Sequence, residues 1–176
     1  MVKKYKKQSG YLMAFVSHGV EDCEYVIYVI VSLDCKYSDI DIFLRNTWFS
    51  SCENCNHLSK FEGYKKTDIV NSEIGPHNIV KYIFDYGSTT EVDLFMLAVL
   101  NGKEKNTNID LVYQFERPKI KCYGCKKALE YLYEGECYCA LCIKDIDDYE
   151  ENEKYIIKLE NNPRTGACCW IIIKIE

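Results

Sequence analysis

The distribution of apolar residues gives its first clear signal at residues 24–33, EYVIYVIVSL. The run is β-branched and aromatic and apolar on both faces, which predicts a buried central strand. The period then changes. Ile40, Phe43, Leu44, Thr47 and Trp48 recur at helical spacing. Ser38, with Asp41 three residues on, offers a capping pair, so an amphipathic helix is expected to start at Ser38. Asp39 and Asp41 in its first turn suit the helix dipole.

Residues 57–66, HLSKFEGYKK, predict a short strand and turn. The clearest hairpin lies at residues 78–100: a strand over 78–86, a turn at YGS, and a strand over 89–100. That second strand places Val92, Leu94, Met96 and Ala98 on one face. Residues 109–116, IDLVYQFE, read as another strand, closed by Pro118. A cysteine-rich stretch follows, then the acidic DIDDYEENE, and KYIIKLE and CCWIIIKIE read as final strands. Several strands with few helices make an α+β order without internal repeats. The divisions expected are an α+β body over 1–120, a ribbon over 121–145, and an acidic linker with C-terminal strands returning to the body over 146–176.

With 176 residues, 48% hydrophobic, the chain is long and apolar enough for a proper core. Its net charge is −5, and it falls to −9 once Lys3, Lys4, Lys6 and Lys7 are set aside. An acidic body does not attract phosphate backbones, so nucleic-acid binding would need a local basic patch such as that Lys cluster. The longest apolar runs, YVIYVIV and LFMLAVL, are too short to span a membrane. The basic start and YLMAFV lack the length and cleavage site of a signal peptide. A cytoplasmic protein is expected, and there eleven cysteines argue for metal ligands and buried thiols over disulfides.

Cys122-x2-Cys125 and Cys139-x2-Cys142 are two CxxC pairs thirteen residues apart. Each turn sets two sulfurs on one side of a tight loop, and two facing turns close a tetrahedron, which predicts zinc. Cys137 is the spare, since pairing it with Cys139 leaves one residue between ligands. Four thiolates leave no open position, so the expected zinc is structural. A second cluster, Cys52-x2-Cys55-x-His57, resembles half a metal site. Its missing ligand would come from Cys168 or Cys169; the alternative is a loop of ordinary buried cysteines. No phosphate loop, nucleophile elbow, deaminase signature or calcium loop is present.

Five motifs occur in order: FLRNTW, a Cys–Cys–His loop with HLSKF, YIFDYGSTTEV, the CxxC pairs with LYEGECYCALC, and NNPRTGACCW. Together they resemble the plasmid open-reading-frame-three-like family, also known as transposon-passenger TnpR-like. They are most similar to its subgroup with a C-terminal zinc-binding segment. The resemblance implies an α+β fold with a mixed or antiparallel sheet and helices against one face; it implies no reaction. Two departures stand out. Relatives place two adjacent cysteines before Gly-His-Leu-Ser, whereas Glu53 and Asn54 separate them here. Relatives also carry more metal-type residues between and after the CxxC pairs. Cys168 matches the family's terminal Gly-x-Cys position, which makes Cys52, Cys55, His57 and Cys168 the candidate second site.

The function expected is a non-catalytic, zinc-stabilised binding protein with a protein partner. Arg45, Trp48, Asp85 and Arg164 mark a candidate surface, although Trp48 can equally be core. The alternatives are a nucleic-acid-associated protein linked to mobile elements, and an enzyme with a cleft near Cys52, His57 and Asp85.

Overall fold

The structure is a computed structural model. It describes residues 8–19, 23–49, 57–71, 74, 78–103, 107–116, 121–128, 130–147 and 149–165, and all structural statements concern these. The Lys cluster, Cys52, Cys55, Cys168, Cys169 and the last predicted strand lie outside them.

The body is a six-stranded antiparallel sheet with the order β3-β4-β5-β1-β2-β6. Its strands are β1 (Gly10–His18), β2 (Glu24–Val31), β3 (Ser59–Phe61), β4 (Val80–Phe84), β5 (Thr90–Leu100) and β6 (Ile109–Gln114). One helix, α1 (Tyr37–Thr47), contributes to the core. The α+β class and antiparallel sheet agree with the reading of the sequence. Two-residue alternation builds the buried face. Tyr11, Met13 and Phe15 of β1 stand opposite Val31, Val29 and Ile27 of β2. Met13 and Phe15 also face Met96 and Leu94 of β5. All eight are buried, and each contributes about 1.5–3 kcal/mol by leaving water.

Three details differ from the sequence reading. First, β1, the central partner of both β2 and β5, was not anticipated; its run GYLMAFVSH shows no period and has one β-branched residue where β2 has five. Second, α1 begins at Tyr37, with Lys36 as its cap residue. The Lys36 N–H donates to the Asp39 carboxylate at 2.9 Å, so Asp39 does the capping that was expected of Asp41. The N–H groups of Tyr37 and Ser38 donate to the carbonyls of Asp68 and Lys66. These are orphan helix donors that only a distant loop could satisfy. Third, Ala98 is exposed although Val92, Leu94 and Met96 are buried. The register slips by one residue between Leu12 and Met13, where Ala98 and then Met96 stand opposite. Such a bulge turns the rest of β5 over.

A second antiparallel sheet, β8-β7-β9, forms from β7 (Tyr131–Tyr133), β8 (Glu136–Tyr138) and β9 (Ile157–Lys158). Between β8 and β9 lie a 3-10 turn, Cys142–Asp145, and the short helix α2 (Tyr149–Asn152). The small sheet therefore takes in residues well beyond 145, where the ribbon was expected to end. Glu134 and Gly135 both have positive φ, 49° and 83°, which matches the tight turn that a two-residue hairpin needs. Two small cores support the unit. Leu132 and Cys137 pack with Ile157 and Leu159, and Tyr131, Ile143 and Ile156 form the other. The chain then returns to the body. Asn161 accepts from Gln114 and donates to the Phe115 carbonyl at 3.0 Å, and Arg164 reaches the β4–β5 turn.

Candidate metal centre

Cys122, Cys125, Cys139 and Cys142 come together, with all four sulfurs within 4.8 Å of one another. A tetrahedron with zinc–sulfur arms of about 2.3 Å has edges of about 3.8 Å. The Cys125 and Cys139 sulfurs are 3.6 Å apart, so the donor set fits a single tetrahedral ion. Two turns with the same local design build it. In the first, N–H groups of Gly124 and Cys125 point at the Cys122 sulfur. In the second, those of Leu141 and Cys142 point at Cys139, the last at 3.4 Å. A Cβ on Gly124 would sit 3.3 Å from the Cys142 sulfur, so the absence of a side chain there lets the two turns close. Lys126 follows with φ 63° and donates its N–H to the Cys122 carbonyl.

The electrostatics suit thiolates at Cys122 and Cys139. Burial pushes the Cys122 thiol up, but the N–H groups of Cys125, Cys139 and Gly124 outweigh it and bring the pKa down to about 6. The Cys142 N–H leads in lowering Cys139. Cys142 is pushed up to about 12 by its hydrogen bonds with the other thiols, Cys125 first. Four thiolates cannot sit this close without a cation between them, and a divalent ion supplies that charge. Cys137 turns away into the small core with Leu132.

The second candidate region is a charged cluster beside Phe84. Asp85 has φ 58°, uncommon for a residue other than glycine. Its Oδ2 accepts from the Arg164 guanidinium at 2.8 Å and from the Ser88 hydroxyl at 2.6 Å. Its Oδ1 lies 3.3 Å from His57 Nδ1. The Ser88 hydroxyl does most to hold Asp85 well below the usual carboxylate range; burial opposes it, and Arg164, the Gly87 N–H and His57 add to it. The Arg164 side chain is fully buried and also donates to the Ser88 carbonyl and Thr90 Oγ1. The Arg164 and Arg45 guanidiniums lie 4.9 and 4.8 Å from the Phe84 ring centre, and Arg45 donates to the His57 carbonyl. Thus Arg45, His57, Asp85 and Arg164 gather around one ring. Trp48 is a buried member of the main core.

A neighbouring network was not legible in the sequence. Asp41, read as a first-turn acid of the helix, is buried. It accepts from Ser59 and Tyr82 at 2.6 Å and from Lys66 at 2.9 Å, and Arg45 lies at 3.2 Å. Burial raises its pKa, but those hydrogen bonds and the Arg45 charge win and lower it. The four partners are spread over residues 45–82, so no local spacing announces them. Elsewhere, burial, with Asp39 and Asp34, pushes the Cys35 thiol up to about 12, which leaves it protonated and unreactive.

Fold and site together define an antiparallel α+β protein carrying a four-cysteine ribbon able to bind a metal. No protein-family model matches the chain, and no curated protein matches it. Among solved structures, it is similar to a protein of unknown function, MM3350, from Methanosarcina mazei Go1, at 13% identity and a TM-score of 0.44. That match covers 59% of this chain and 67% of the other. Among the described residues no helix is long and apolar enough to cross a membrane.

Proposed function

We propose that the protein is a non-catalytic, zinc-stabilised binding module of the cytoplasm, with the ribbon as a rigid arm for a protein partner. One observation carries this reading: the donor set is four sulfurs, converged and closed by two backbone turns. A closed sulfur shell offers no position for substrate or water. The ribbon's small cores also need the crosslink, because they hold few buried apolar residues. Asp85 is committed to Arg164 and Ser88, which argues against the enzyme alternative. The acidic balance of the chain argues against the nucleic-acid alternative. The motif resemblance to the plasmid open-reading-frame-three-like family, which implies no reaction, is consistent with this reading.

X-ray absorption at the zinc edge on the purified protein tests it. Four sulfur scatterers at about 2.3 Å, with no nitrogen or oxygen, are expected. A shell with an exchangeable oxygen would mean an open site and would overturn the reading.

A further inference from the structure

The ribbon carries a groove of about 420 Å³ lined by Leu132, Tyr133, Glu134, Gly135, Asn152, Tyr155 and Ile157. Its apolar members come from both strands of the β7–β9 pair and from the segment between α2 and β9. Tyr155, on its wall, is 47% exposed. Glu134 is the charged member of the lining, and the segment that builds the unit is acidic: from Glu130 to Lys158 the sequence holds nine acidic residues and three lysines. Four zinc-bound thiolates would add about two negative charges to the same unit. An apolar slot with a negative rim selects a basic segment that carries one large apolar side chain.

The chain itself contains such a segment. Residues 1–7, MVKKYKK, set Tyr5 between two pairs of lysines and carry no acid. We propose that the groove takes residues 1–7 of a second copy of the chain, with Tyr5 filling the slot and the lysines meeting its acidic rim. This rests on the reading of the ribbon as a protein-docking arm. The partner is a second copy because of reach. Gln8 is held at Asp110, at the start of β6, whereas the ribbon leaves the chain beyond the far end of that strand. Asp110 to Phe115, where Asn161 leaves the ribbon for the body, is about 17 Å at ordinary strand rise, and the three residues from Gln8 to Tyr5 span about 11 Å at most. The chain's own Tyr5 therefore falls short of its ribbon.

The test uses zinc-loaded full chain, a form lacking residues 1–7, and a labelled synthetic peptide of residues 1–8. Sedimentation should show salt-sensitive self-association of the full chain that disappears in the shortened form. The peptide should bind the shortened form saturably, about tenfold or more weaker in ~0.5 M than in ~0.05 M salt. Binding should be lost in a Glu134→Lys/Tyr155→Ser variant that keeps its zinc and its circular dichroism. Equal binding to that variant would place the tail elsewhere and overturn the proposal, as would no binding at all. A full chain that stays monomeric while its shortened form binds the peptide would mean docking within one molecule, which also overturns the second-copy assignment. A four-sulfur zinc shell alongside failed peptide binding would sink the tail assignment alone. An open shell would sink the binding-module reading whatever the peptide does.

Discussion

Arg164→Met should be among the most destabilising single substitutions in the body. The Arg164 side chain is fully buried, whereas its partner Asp85 is 13% exposed. Four hydrogen bonds are removed: to Asp85, to the Ser88 carbonyl and hydroxyl, and to Thr90. Methionine keeps much of the packing against Phe84, so the loss is chiefly polar. Breaking a buried pair by removing one partner costs about 3–5 kcal/mol. Because water can reach Asp85 at one side, the lower end, about 3 kcal/mol, is expected. That is a large share of the roughly 5–15 kcal/mol that a domain has.

The assay is urea unfolding of zinc-loaded protein, followed by tryptophan fluorescence and circular dichroism. Asp85→Asn tolerates the left-handed backbone, and with Arg164→Met it completes a cycle in which the double variant should cost less than the sum of the singles. The pH dependence has a definite sign. Asp85 is held below its unfolded value of about 4. Its stabilisation is therefore complete above that pH and is lost as pH falls through it towards the folded value. The Arg164→Met protein should lose less stability over that interval than wild type. A cost under about 1 kcal/mol, with additive singles, would refute the claim that the pair anchors the returning chain.

Other outcomes follow from the same geometry. Cys139→Ser should abolish stoichiometric zinc binding and expose ribbon amides to rapid hydrogen exchange, while amides of β1, β2 and β5 stay protected. Cys137→Ser should leave zinc content unchanged, because Cys137 packs with Leu132 in a small core; metal analysis separates the two cysteines. Tyr82→Phe removes a 2.6 Å donor to buried Asp41 and should cost about 1.5 kcal/mol by urea unfolding. That is the low end for a bond to a charged group, since Ser59, Lys66 and Arg45 remain.

What depends on neighbours along the chain was legible beforehand. A β-branched run marked β2, a turn between two apolar runs marked the β4–β5 hairpin, and alternation every two residues gave the buried face of β5. The CxxC spacing selected Cys122, Cys125, Cys139 and Cys142, because a tight turn sets two sulfurs side by side wherever it occurs. Cys137 could be set aside on the same grounds. What depends on distant partners came only with the folded chain. The centre of the sheet fell to β1, whose run GYLMAFVSH has neither a period nor the β-branched residues that marked β2. The helix started before its expected cap because the carbonyls of Asp68 and Lys66 were waiting for its first N–H groups. Asp41, read from its local spacing as a capping acid, became a buried hub, since Ser59, Lys66 and Tyr82 arrive from other strands and loops. Asp85 and Arg164, separated by 79 residues, meet because the chain leaving the ribbon crosses back to the β4–β5 turn, and no local pattern encodes that return.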